Sequence, residues 1–247
     1  MIFITGDTHG EYERFSSQNF PEQKRLTKED YVIICGDFGI WDDSPSERYW
    51  FKWLDEKPFT TLFVDGNHSN YDLLARYPVN EWHGGKVQFI RPSLIHLMRG
   101  QVYDIGGHSF FTMGGASCHD IGDGILDPDA PDFAEQYKRL AARRAMFRIN
   151  HRSWWKEELP SDEEYAIARE SLTQHDMEVD YIITHCAPNS IAQLITGSLY
   201  QPDALTAFLE EVKEQCKYRY WFFGHYHENA VIAQKHVVLY EQIIELN

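Results

Sequence analysis

Five short, almost wholly apolar runs in this 247-residue chain each lead directly into a polar cluster. The runs cover residues 1–5, 31–35, 60–64, 181–184 and 220–223. The clusters are Gly6-Asp7-Thr8-His9-Gly10, Gly36-Asp37, Gly66-Asn67-His68, His185 after Thr184, and Gly224-His225-Tyr226-His227. Unbroken runs of Ile, Val, Phe and Tyr of this length are what a strand buried on both faces requires. Segments with helical character at 46–56, 69–77, 162–175 and 202–216 lie between them, which predicts an α/β fold. Ligand sites in such folds gather beyond the carboxyl ends of the strands, so the five clusters are expected to converge at one edge.

Two stretches depart from that alternation. Residues 94–113 read as two or three strands separated by turns at Gly100, Gly106 and Gly107, and residues 230–245 as a meander of short strands. Sheets packed on each other, with helices outside, are therefore expected. Residues 116–160 are polar, basic and aromatic, with Asp127-Pro128-Asp129, Arg143-Arg144, Trp154-Trp155 and helical character around 133–147. That is too long for a simple connection and reads as an inserted lid within one domain spanning 1–247. No repeat or linker-like tract suggests a second domain.

Composition narrows the function classes. A net charge of −15 opposes attraction to a nucleic-acid backbone or an anionic membrane, since both are drawn mainly by Lys and Arg. No apolar run approaches the roughly 18 residues of a membrane helix, and no secretory leader is recognisable. Cys35, Cys118, Cys186 and Cys216 are widely spaced, so neither a thiolate metal site nor a disulfide framework is indicated. A cytoplasmic protein with free thiols is expected.

Any one cluster could be turn chemistry, because Gly, Asp and Asn serve turns throughout proteins. Their ordered conjunction is different. Carboxylate, amide and imidazole donors without thiolate suit Mn, Fe, Zn, Co or Ni. Two-residue spacing in D-x-H and H-x-H on extended backbone turns both side chains to one side.

In the order D-x-H, G-D, G-N-H, H and G-H-x-H, over positions 7 to 227, the sequence resembles the calcineurin-like metallophosphoesterases. The resemblance implies a four-layer sandwich of two mixed β-sheets flanked by helices, with a binuclear centre at one edge. Carried over by position, it implies that Asp7, His9 and His227 hold one metal, that Asn67, His185 and His225 hold the other, and that Asp37 bridges them. Two divalent transition-metal ions, Mn first among them, are the implied cofactors. His68 is implied as the catalytic histidine: a hydroxide shared by the ions attacks a phosphomonoester or phosphodiester, and His68 protonates the leaving group. A phosphate-gripping role for His68 is the alternative.

One block departs from the family's protein phosphatases. Their second block reads G-D-x-x-D-R-G, where this chain has Gly36-Asp37-Phe38-Gly39-Ile40-Trp41-Asp42. Ile40 and Trp41 stand where an orienting acid and a phosphate-gripping arginine would be, which argues against protein phosphatase and diadenosine tetraphosphatase activity. Asp42 or Asp43 is left as the orienter of His68, and Arg148 or Arg152 as the substitute arginine. A second pattern, Gly114-Gly115-Ala116-Ser117 with Trp154-Trp155-Lys156-Glu157-Glu158, resembles a G-G-A…W-W-x-E-E pattern in uncharacterised bacterial and phage members. It implies a bacterial source and a shared lid, with the tryptophans expected chiefly as packing anchors. Of the histidines outside the blocks, His119 and His151 could face substrate, while His83, His96, His108, His175 and His236 are expected to be structural. A small phosphorylated substrate is the expected partner; a metal-dependent nuclease and a non-catalytic scaffold are the alternative functions.

Overall fold

The computed structural model describes residues 1–197 and 201–246. Two mixed sheets make up its centre. The seven-stranded sheet runs, in spatial order, Ile243–Leu246, Ile2–Thr5, Tyr31–Ile34, Thr60–Phe63, Leu94–Leu97, Gly85–Arg91 and Val79–Trp82. The six-stranded sheet runs Ala230–Ile232, His236–Val238, Tyr220–Phe223, Tyr181–Thr184, His108–Met113 and Gln101–Ile105. The central strands of both sheets are parallel, while the outermost pairings, and that of Gly85–Arg91 with Leu94–Leu97, are antiparallel.

Alternation along each buried strand sends neighbouring side chains to opposite faces, and this builds four layers. Ile2, Ile4, Ile33, Leu62, Phe110, Tyr181, Ile183 and Phe222 form one cluster between the sheets. Phe3, Val32, Ile34 and Phe63 point outward onto Phe51 and Leu54 of the helix Pro45–Asp55. On the far side, Phe111, Met113, Ile182, Trp221 and Phe223 meet Leu172 of the helix Asp162–Gln174 and Phe208 and Leu209 of the helix Ala204–Gln215. Each such Leu or Phe contributes about 1.5–3 kcal/mol relative to exposure. The expected fold class, a four-layer α/β sandwich, is the one observed.

The helix starts have local causes. Ser44 accepts from the Glu47 N–H with Pro45 at the first turn, and Ser161 with Glu164 forms a reciprocal capping box. The helical stretch expected over 69–77 is a single turn, Tyr71–Leu74, capped by the Asn70 side chain. Pro78 lies just beyond it and has no N–H to extend a helix. The tail is not one meander: Ala230–Ile232 and His236–Val238 close the second sheet, while Ile243–Leu246 crosses to pair antiparallel with Ile2–Thr5.

Residues 116–160 carry small elements of their own: a parallel pair Ile125–Leu126 with Arg148–Ile149, a helix Phe133–Ala142 and a short turn Lys156–Glu158. Trp155 anchors the segment. It is 5% exposed, and its indole N–H donates to Asp72 at 2.8 Å. Among the described residues, no helix is long and apolar enough to cross a membrane.

Candidate metal centre

The strands Ile2–Thr5, Tyr31–Ile34 and Thr60–Phe63 run parallel in one sheet, and Tyr181–Thr184 and Tyr220–Phe223 run parallel in the other. Their carboxyl ends bring all five polar clusters to the same edge. The two sheets approach so closely there that side chains are forbidden at two linking positions. A Cβ on Gly36 would lie 2.1 Å from His185 Nδ1, and one on Gly224 would lie 1.9 Å from Asp7 Oδ1.

Asp7, Asp37 and His185 are almost completely buried, Asn67 nearly so, and His9, His225 and His227 close the outer side. On one side, His9 Nε2 and His227 Nε2 are 3.0 Å apart, and Asp7 Oδ2 is 3.2 Å from His227 Nε2 and 3.7 Å from His9 Nε2. On the other, His185 Nε2 is 3.1 Å from Asn67 Oδ1, with the His225 ring 5.0 Å away between centroids. Asp37 Oδ2 faces both groups, 3.8 Å from His9 Nε2 and 3.4 Å from His185 Nε2. Asp7 also approaches His185, but at Nδ1 and 3.7 Å, and that nitrogen donates to the Cys35 carbonyl at 2.9 Å. The bond to Cys35 leaves Nε2 as the nitrogen turned toward Asp37 and Asn67, the arrangement seen behind metal-ligating histidines.

Four of the seven residues also sit in an uncommon backbone conformation. His9, Asp37, His225 and His227 all have positive φ, between 42° and 66°. Each such non-glycine conformation costs on the order of 1–3 kcal/mol and persists only where the surroundings enforce it. The enforcement is visible: the His225 N–H donates to both Asp7 oxygens at 2.9 and 3.1 Å, and the His9 N–H to the Asp37 carbonyl at 2.7 Å.

Charge at the site calls for a cation. Burial pushes the Asp7 and Asp37 carboxyls up, but His185, helped at Asp7 by His227 and His9, outweighs it and holds both below the ordinary range. Burial works against charge on His185, yet Asp37 and Asp7 raise it to about 9, so without a cation Nε2 carries a proton that a bound ion would displace. Burial and the neighbouring His185 push His225 down to about 3, which keeps it neutral and able to ligate. Two ionised carboxylates among imidazoles and one amide, with positive charge in demand, fit divalent transition metals well. Two triads of donor atoms, Asp7–His9–His227 and Asp7–Asp37–His185, each lie within 4.8 Å of one another.

His68 sits half-buried at the rim, its ring 5.6 Å from that of His9. Neither acid left open by the sequence orients it. Asp43 is taken by Arg48 at 2.7 and 2.6 Å, and Asp42 accepts from the Ser44 N–H at 3.0 Å. Instead the His68 N–H donates to Asp37 Oδ1 at 2.8 Å, and its carbonyl accepts from the Trp41 indole at 3.1 Å. Burial lowers the pKa of the His68 ring; Asp37 opposes this, and His9 and Arg148 add to it. Arg148 donates to Asp120 at 2.6 Å, and Asp120 lines a cleft of about 440 Å³. His119 and Asp120 line that cleft together with Asp37, Asn67, His68 and His227. Arg152 lies elsewhere, over the Phe133 ring at 5.7 Å, and His151 pairs with Asp72 at 3.0 Å.

The sequence reading missed what holds the Gly66-Asn67-His68 turn from behind. Buried Asp65 accepts from Arg99 Nε at 2.9 Å and from His96 Nε2 at 3.2 Å, and the single Tyr71 hydroxyl proton lies between Asp65 Oδ2 at 2.9 Å and the Gly66 carbonyl at 2.7 Å. Arg99 reaches on to the Glu157 carbonyl at 2.7 Å, tying the segment 116–160 to the turn. The only signal was an acid immediately before Gly66, and its partner lies 34 residues away. Arg99→Met should destabilise the protein by about 3–5 kcal/mol, because it strands a buried charge. Urea unfolding checks this; a loss under about 1 kcal/mol would show that Asp65 is satisfied without Arg99.

A family model described as calcineurin-like phosphoesterase matches residues 1–229. No curated protein matches the chain by sequence. Among solved structures, the chain is similar to a phosphopantetheinyl hydrolase from Mycobacterium tuberculosis, at 16% sequence identity and a TM-score of 0.43, over 97% of this chain and 89% of that one.

Proposed function

Because the chain belongs to the calcineurin-like phosphoesterase family, we propose that it is a cytoplasmic, bacterial-type hydrolase of a small phosphomonoester or phosphodiester, working with two divalent transition metals, Mn first. The observation that carries this reading is the convergence, from five strand ends, of one amide and four imidazoles around the two buried carboxylates Asp7 and Asp37. Asp7, His9 and His227 would hold one ion and Asn67, His185 and His225 the other, with Asp37 facing both groups. Two ions bound there would supply positive charge for the phosphoryl oxygens and a nucleophile available at neutral pH.

The chain's own residues do the rest. His68, at the rim of the donor cluster, gives a proton to the departing oxygen. Arg148 supplies a guanidinium at the cleft, the role left open by Trp41 in the second block. The segment 116–160 acts as a lid that sets substrate choice. A net charge of −15 weighs against a nucleic-acid strand as substrate.

Protein purified without chelator should carry close to two metal equivalents by elemental analysis, and with Mn²⁺ it should hydrolyse members of a panel of aryl phosphates, nucleotides, sugar phosphates and diesters. Arg148→Ala should raise KM several-fold for the better substrates with kcat nearly kept, the signature of lost uniform binding. A stable single equivalent after reconstitution, or no hydrolysis anywhere in the panel, overturns the reading.

A further inference from the structure

Trp41 is a large aromatic left 45% exposed, yet it is fixed from every side. Its backbone N–H donates to the Glu47 carboxylate at 3.1 and 3.3 Å, and its carbonyl accepts from the Asn70 side chain at 2.6 Å. The indole N–H is held by the His68 carbonyl, and the six-membered ring lies so close to Gly10 that a Cβ there would be 2.9 Å from it. Gly10 follows the metal-site residue His9. The indole thus spans the two loops that carry His9 and His68, with its ordering cost met in folding.

We propose that Trp41 is a substrate-contacting specificity residue: its exposed indole receives the leaving group and favours phosphoesters whose leaving group is a planar unsaturated ring, aryl or nucleobase. This rests on the phosphoesterase reading above. With His68 beside the departing oxygen, the organic group beyond that oxygen must pass the turn that carries His68, and Trp41 is the apolar surface bonded to that turn. The cleft itself mixes polar His119, Asp120, Thr196 and Glu228 with Ile195 and Tyr226. An indole prefers a flat π-system to a saturated ring of the same size because stacking adds to simple area burial.

The test compares matched flat and saturated ligands on Mn²⁺-loaded wild type, Trp41→Leu and Trp41→Phe. Benzylphosphonate and cyclohexylmethylphosphonate, which resist hydrolysis, are titrated by calorimetry; phenyl phosphate and cyclohexyl phosphate are assayed for kcat/KM. Wild type should bind the benzyl compound about fivefold or more tightly than its saturated twin. That preference should vanish in Trp41→Leu and largely survive in Trp41→Phe, which keeps a ring but loses the bond to His68. The kcat/KM ratio should shift in the same direction. A wild type without preference, or a preference that Trp41→Leu retains, overturns the proposal and reduces Trp41 to a strut for His68. Hydrolysis of both esters with an unaltered ratio leaves the phosphoesterase reading standing alone. A Trp41-dependent binding preference without hydrolysis of either ester removes the catalytic reading and keeps the aromatic site, whereas no binding of either phosphonate overturns both.

Discussion

Asp37→Asn should empty both metal positions together and lower hydrolysis by at least about 10³-fold, equivalent to losing several kcal/mol of charge stabilisation. Among the described residues, its Oδ2 is the one carboxylate oxygen facing both the His9 and the His185 Nε2 atoms, at 3.8 and 3.4 Å. An amide there is a neutral, one-sided donor. His185→Ala, by comparison, removes a ligand from one position and should chiefly cost one equivalent. The fold should survive Asp37→Asn, because the change is isosteric and withdraws a negative charge from a site 1% exposed. Its amide oxygen can still accept the His68 N–H. Elemental analysis after desalting, with thermal unfolding as the folding control, separates the cases. Retention of both equivalents by a folded Asp37→Asn protein would remove Asp37 as the bridging ligand.

What the sequence could reveal follows from which interactions are local. Strands buried on both faces must be apolar throughout, so Ile2–Thr5, Tyr31–Ile34, Thr60–Phe63, Tyr181–Thr184 and Tyr220–Phe223 announced themselves, and the polar residues just past them could only meet at one edge. Val79–Trp82 did not announce itself, because an exposed edge strand carrying Asn80 and Glu81 has no burial pattern to show. The helix Asn189–Thr196 was hidden too, starting directly after Pro188 with no side-chain cap. Ile243–Leu246 looked like its neighbours, and nothing local says that it crosses to the other sheet. At the site, the ligand types were legible because chemistry restricts them. The support was not: whether Asp42, Asp43 or Trp41 reaches His68 depends on Arg48 and Ser44 engaging the two acids first, and Asp65 with Arg99 is a pairing across two strands.

His68→Ala should keep close to two metal equivalents while losing about 10²–10⁴ in kcat for substrates with poor leaving groups. The contacts that position residue 68 are main-chain ones, the N–H to Asp37 Oδ1 and the carbonyl to the Trp41 indole, and alanine retains both groups. Truncation therefore removes the imidazole without freeing the turn that carries Asn67, whose neighbour Gly66 stays bonded to Tyr71. If the ring donates a proton, the loss must shrink as the leaving group becomes more acidic, since p-nitrophenolate departs without help while an alkoxide does not. A plot of log kcat against leaving-group pKa should accordingly steepen in the variant. Parallel plots for wild type and His68→Ala assign the ring to gripping phosphate instead, because a contact to a non-reacting oxygen costs the same whatever leaves. Full activity in the variant excludes both roles and puts proton donation on another group lining the cleft, where His119 is the first to substitute.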